Sequence, residues 1–142
     1  SKKTDKIMDR MREKVSVLLG AESKNCISIG QNMTTLTYSL ARAFSKIFKE
    51  GDEVIITELD HEANRGPWKT LENIGVQLIE VKLLNDGTLD YKDFKNKIND
   101  KTVLVAMGMS SNAIGTLNDF IQINPAASRL NLCKKNCHWS EI

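Results

Sequence analysis

The chain is short of the features that assign a protein at a glance. Its 142 residues hold three cysteines, an odd number. That count excludes a disulfide framework and makes a reducing cytoplasm the simplest setting. Twenty Lys and Arg against eighteen Asp and Glu leave a net charge of only +2. The two signs are interleaved, so there is no basic face for nucleic acid and no basic helix for a membrane surface. No apolar run approaches the roughly 20 residues of a membrane span. Ser1-Lys2-Lys3-Thr4-Asp5-Lys6 leads into an amphipathic pattern, not the apolar core of a signal peptide. Repeats and low-complexity tracts are missing too. What is left is an ordinary globular composition, of a length for one domain with a moderate core.

The apolar residues that are present carry two periods. Ile7, Met8, Met11, Val15, Leu18 and Leu19 predict a helix over 4–19, capped by Thr4 or Asp5 and ended by Gly20. Residues 26–29 read as a first strand. Leu36, Leu40, Ala43, Phe44, Ile47 and Phe48 predict one face of a helix over 33–49, with Asn32 as its N-cap and Gly51 beyond its end. Residues 53–57 are the second strand, followed by a short helix over 68–74 closed by Gly75. A third strand over 76–83 leads to an Asn85-Asp86-Gly87 turn. A helix over 91–98, capped by Asp90, precedes a fourth strand over 102–107. Strands alternating with helices predict an α/β fold, its sheet mostly parallel with flanking helices. Met8, Met11 and Met107 read as core fillers. After Asp119 the pattern breaks, because Pro125 interrupts the helix due there. Cys133, Cys137 and His138 lack a zinc-site spacing and a fourth ligand, so no metal is expected.

Three of the strands end alike. The first runs into Gly30-Gln31-Asn32-Met33-Thr34-Thr35, and the second into Leu59-Asp60-His61-Glu62-Ala63-Asn64. The fourth runs into Gly108-Met109-Ser110-Ser111-Asn112-Ala113-Ile114-Gly115-Thr116. Ligands of open α/β sheets sit just past the carboxyl ends of strands, so the three clusters are expected to converge. At the first, a turn into a long helix leaves backbone N–H groups that suit a phosphate. Met33 and Thr34 supply those groups, with the side chains of Asn32 and Thr35 beside them. A plain capped helix start has the same sequence, and one Gly without a Lys does not separate the two. At the second, His61 is an acid–base group, a surface for a ring to stack on, or a helix cap. Trp68 reads as a packing residue. At the third, Asn112 both donates and accepts, which suits a ligand hydroxyl or phenolate. A turn rich in Asn and Gly reads the same way.

Taken in order, these segments resemble one family. Ile27-Ser28-Ile29-Gly30-Gln31-Asn32-Met33-Thr34-Thr35-Leu36-Thr37 is similar to the phosphate-loop segment of class V aminotransferases, and more narrowly of their cysteine-desulfurase-like branch. Residues 51–57, 59–64 and Pro67-Trp68 resemble its second signature. Asp86-Gly87-Thr88-Leu89-Asp90 resembles its turn, and residues 111–119 its third signature. The likeness runs from about Arg10 to Asp119. It implies the N-terminal part of a fold-type I large domain over 1–119 and a divergent tail, assigned no domain, over 120–142. It also implies pyridoxal 5′-phosphate as cofactor, a small amino-acid substrate, and a homodimer at full length. In that scheme Asn32 and Met33 sit at the cofactor phosphate, His61 stacks on the pyridine ring, and Asn112 bonds the phenolic oxygen. Gln31-Asn32 is one departure from the commoner residues of the family. Arg65-Gly66 is another, standing where apolar residues are commoner, and a change in substrate access is expected there.

The resemblance also implies what is missing. In the family, an Asp for the pyridinium nitrogen, the Schiff-base Lys and an Arg for the substrate carboxylate follow the third signature. Desulfurases add a nucleophilic Cys. None of these motifs is found in the 142 residues. The chain therefore reads as a truncated product, inert for want of the Lys. The strand over 26–29 is expected to lack its family neighbour, and to pair differently or remain an exposed edge. Two other readings fit less closely. A nucleotide-binding α/β domain needs a Gly-rich first turn, which Gly30 alone does not supply. A non-catalytic interaction module would dimerise with an intact paralogue through its exposed sheet.

Overall fold

The computed structural model describes residues 2–111 and 113–119. Asn112 and the tail over 120–142, with Pro125, Cys133, Cys137 and His138, lie outside them. The centre of the fold is a three-stranded parallel sheet of β1 (Glu53–Thr57), β2 (Gln77–Val81) and β3 (Thr102–Val105), in the order β2-β1-β3. Glu53 stands opposite Gln77 and Thr57 opposite Val81, and the pairing with β3 slips one residue after Glu53. A central strand covered on both faces has no solvent side. All five residues of β1 are accordingly buried.

Alternation along the strands divides the core. Val54, Ile56, Leu78 and Leu104 belong to one cluster. α2 (Met33–Phe44) and α3 (Glu62–Lys69) bring Ala41, Phe44 and Trp68 to it. Trp68 is the packing residue expected, its ring 6.3 Å from that of Phe44. Ile55, Ile79, Val81 and Val105 belong to the opposite cluster, with Phe94 of α4 (Tyr91–Lys97). Local chemistry starts and stops these elements. Asp90 Oδ1 accepts the N–H groups of Lys92 and Asp93, each at 2.9 Å, to begin α4. Gly75, at φ 82°, closes the 3₁₀ turn Thr70–Ile74 in the left-handed region that favours glycine.

Four expectations are corrected. Residues 26–29 are not a strand: a 3₁₀ turn, Lys24–Cys26, is followed by extended chain with no ladder partner among the described residues. A strand exists by pairing, and this segment pairs with none of the three strands. The long helix ends at Phe44, after which Ile47 and Phe48 both return to the Phe44 carbonyl as turns. Its buried residues are Thr37 and Ala41, and of the expected face Phe48, in the turn beyond, is buried while Leu40 and Ile47 are exposed. The helix expected over 68–74 starts at Glu62 and runs through Pro67 before tightening to 3₁₀. The first helix, α1 (Lys2–Leu18), begins at Lys2, ahead of Thr4 and Asp5, so neither stands at its N-cap; it rests on the Lys24–Cys26 turn, and its apolar residues Ile7, Met11 and Leu18 are exposed.

The outer edge of β2 is closed by α4. Lys97 Nζ donates to the Glu80 carbonyl at 2.7 Å and to Asp93 Oδ2 at 2.6 Å, and Asp93 Oδ2 accepts the Lys82 N–H at 3.2 Å. These two side chains stand where a further strand would pair. The bond from Lys97, with lesser help from Lys82, holds the Asp93 carboxyl below its ordinary 3.8. A depressed carboxyl stabilises the fold above its unfolded pKa and loses that contribution as pH falls through its folded pKa. The Asp93 contribution is therefore complete above about pH 4 and disappears below it. Asp93→Asn is expected to flatten this part of the acid limb in a series of urea midpoints against pH.

Candidate functional site

The ends of β1 and β3 meet the start of α2. Met33 from the first junction, Leu59, Asp60, His61 and Asn64 from the second, and Gly108 and Ser110 from the third line one cleft of about 330 Å³.

The first wall is the start of α2. Asn32 is extended, and its Oδ1 accepts the Thr35 N–H at 2.9 Å. Its carbonyl accepts the Leu36 N–H at 3.2 Å. The cap thus consumes the third and fourth N–H groups of the helix. Those of Met33 and Thr34, the first two, have no partner among the described residues. That leaves two donors at the positive end of a twelve-residue helix. The approach to it is tight, for a Cβ on Gly30 would stand 2.6 Å from Leu36 Cδ2.

The second wall follows β1. His61 is exposed and caps α3, its Nδ1 accepting the Ala63 N–H at 3.1 Å. Helix capping, one of the three roles read from the sequence, is therefore real. It engages Nδ1 and leaves Nε2 and the ring faces free of the cap. Asp60 beside it was passed over in the sequence. Its Oδ2 accepts the Thr57 hydroxyl at 2.6 Å, and its Oδ1 accepts Asn64 Nδ2 at 3.0 Å and the Gly108 N–H at 2.7 Å. Nothing in the local sequence reports that last bond, whose partners lie 48 residues apart.

The third wall is a loop that braces itself. Asn118 Nδ2 donates to the Gly108 carbonyl at 2.6 Å. Ser110 bridges Leu117, and the Ser111 N–H donates to the Thr116 carbonyl at 2.9 Å. Ser111 Oγ accepts the N–H groups of Ala113 and Ile114 at 3.2 and 3.3 Å. Asn112 lies outside the described residues. Arg65 is not among the residues lining the cleft; it forms an ion pair with Glu80 on β2. Among the described residues no cluster of His, Cys, Asp and Glu could hold a metal, and no helix is long and apolar enough to cross a membrane.

The fold and the cleft define an α/β protein of the kind whose ligands bind at the carboxyl ends of parallel strands. Comparison with known proteins narrows that class. The model of the family described as aminotransferase class V matches residues 1–133, and the chain belongs to that family. It is 32% identical over 129 residues to a probable cysteine desulfurase of Borreliella burgdorferi, covering 89% of this chain and 31% of that protein. It is 35% identical over 113 residues to a cysteine desulfurase of Pectobacterium atrosepticum, covering 78% of this chain and 28% of that one. The apo structure of a cysteine desulfurase from Thermococcus onnurineus matches at a TM-score of 0.77 and 26% identity, over 87% of this chain and 30% of that one. The chain thus spans less than a third of the length of these relatives. Its parallel sheet and flanking helices are part of a fold-type I large domain, as the sequence resemblance implied.

Proposed function

We propose that this chain forms the phosphate-facing and ring-facing walls of a pyridoxal 5′-phosphate cleft, in an enzyme of the cysteine-desulfurase-like branch that acts on a small amino acid. The observation that carries the reading is that Met33 and His61, from separate junctions, line one cleft. The donor set fits the cofactor. The unpartnered N–H groups of Met33 and Thr34, with the helix dipole, suit a phosphate dianion. Asn32 keeps that helix start open. The imidazole of His61, steadied by its bond to Ala63, offers a face to a pyridine ring. Asn112 is assigned to the phenolic oxygen on the strength of the family resemblance. When bound, pyridoxal phosphate supplies the electron sink that lets bonds at the α-carbon of an amino acid break.

By themselves the 142 residues are proposed to bind without turnover, since they contain no motif for the lysine this chemistry needs. The homodimer and the cytoplasmic setting belong to the same reading. Equilibrium dialysis with pyridoxal phosphate, pyridoxal and AMP tests it. Pyridoxal phosphate should bind tightest of the three. His61→Asn keeps a capping acceptor and removes the ring, so affinity for pyridoxal phosphate should fall about two- to tenfold, the range for an aromatic pair. Affinity for inorganic phosphate should stay unchanged. Preferential binding of AMP would overturn the reading in favour of a nucleotide site.

A further inference from the structure

We infer that Asp60 is a positioning residue, which fixes the His61 wall of the cleft against the Gly108–Ser110 wall. The role assigned to the cleft itself rests on the reading above. Three donors from three parts of the chain converge on this half-buried carboxylate: the Thr57 hydroxyl at the end of β1, the Asn64 amide in the first turn of α3, and the Gly108 N–H past β3. Thr57 is wholly buried, so one anchor is part of the rigid sheet. Gly108 passes the constraint on, because its carbonyl accepts Asn118 Nδ2 and closes the base of the third loop. A Cβ on Gly108 would stand 3.1 Å from Asp60 Oδ1, so only a residue without one fits without displacement. His61 is the next residue in the chain, and Ser110 lies two residues past Gly108. Their separation across the cleft is therefore set through one side chain. Asp60 forms no ion pair among the described residues. Its work is acceptance of hydrogen bonds, which an amide oxygen can share.

That last point makes the role testable on the full 142-residue chain. Asp60→Asn keeps an oxygen for Asn64 and Gly108 and turns its NH₂ toward Thr57 Oγ1, which can accept. Asp60→Ala removes every acceptor. Amide hydrogen exchange without ligand should be ten- to a hundredfold faster at Gly108 in Asp60→Ala, the range for losing a bond to a charged group. In Asp60→Asn it should stay within about threefold of wild type, since the bond survives. Affinity for pyridoxal phosphate by dialysis should follow the same order, falling more than about tenfold only in the alanine variant. Unchanged protection of Gly108 in Asp60→Ala would overturn the inference. So would an asparagine variant as impaired as the alanine one, since charge and not geometry would then matter. A lower urea midpoint in Asp60→Ala with unchanged cofactor affinity would reduce Asp60 to a structural residue and defeat it too. If the exchange pattern holds but wild type binds no pyridoxal phosphate, the cofactor reading falls and the coupling of the two walls by Asp60 stands.

Discussion

Met33→Pro is expected to leave α2 standing and to weaken the binding of pyridoxal phosphate by ten- to a hundredfold, the equivalent of about 1.5–3 kcal/mol for a hydrogen bond to a charged group. Proline at the first helical position is tolerated because the N–H it lacks makes no bond inside the helix. The residue before a proline must be extended, and Asn32 is, at φ −161° and ψ 167°. The cap from Asn32 to the Thr35 N–H and the first helical bond from Leu36 are both untouched. What disappears is one of two unpartnered donors at the start of α2, together with the Met33 side chain. Met33→Ala separates the two losses, because it keeps the N–H. Calorimetry should find Met33→Ala within about threefold of wild type if the backbone bond to the phosphate dominates. Circular dichroism should find equal helix content in all three proteins. Equal losses in the proline and alanine variants would mean that the thioether, not the backbone, holds the ligand.

The parts of this structure that were legible in the sequence are those fixed by neighbours in the chain. β1 occupies the residues its apolar run predicts, and Asn32 and Asp90 cap the helices they were expected to cap. Such features need only a side chain and the backbone two or three residues away. The misreadings lie where a distant partner decides. Residues 26–29 have the composition of a strand, but composition supplies no partner, and the segment runs extended and unpaired. In α2 the apolar residues form two adjacent stripes, and helical spacing alone favours neither. The sheet takes the one with Ala41, joined by Phe48 of the turn that follows, and leaves Leu40 46% and, in that turn, Ile47 59% exposed. Gly66-Pro67 looks like a break, so the first turns of α3 were hidden. Yet Pro67 only deletes one ladder bond from a helix that the His61 cap has already started. The site divides the same way. His61 is conspicuous by its rarity, whereas Asp60 acquires its meaning from Gly108.

Phe94→Ala is expected to have the largest effect on stability, a loss of about 3–5 kcal/mol, the usual range for emptying a buried aromatic position. Phe94 is 0% exposed and packs among Ile55, Val81 and Leu89 on one side of the sheet. α4 has only seven residues, too few for a helix to persist in water without packing. Its attachment to the sheet therefore depends on this ring, and so does the closure of the β2 edge. Once α4 lifts, Lys97 leaves the Glu80 carbonyl and Asp93 leaves the Lys82 N–H. An open parallel edge with Leu78, Ile79 and Val81 is a template for another strand. Urea unfolding should register the loss of stability, and sedimentation velocity should detect concentration-dependent self-association beyond that of wild type. Lys97→Met isolates the second effect. It keeps the Phe94 packing and removes only a half-exposed ion pair and its bond to the strand, so its cost should be about 1 kcal/mol. If Phe94→Ala sediments as wild type does while unfolding earlier, the edge is guarded by Asp93 and Lys97 without help from the core beneath them. Association of Lys97→Met at undiminished stability would show that the ammonium alone keeps a second strand away.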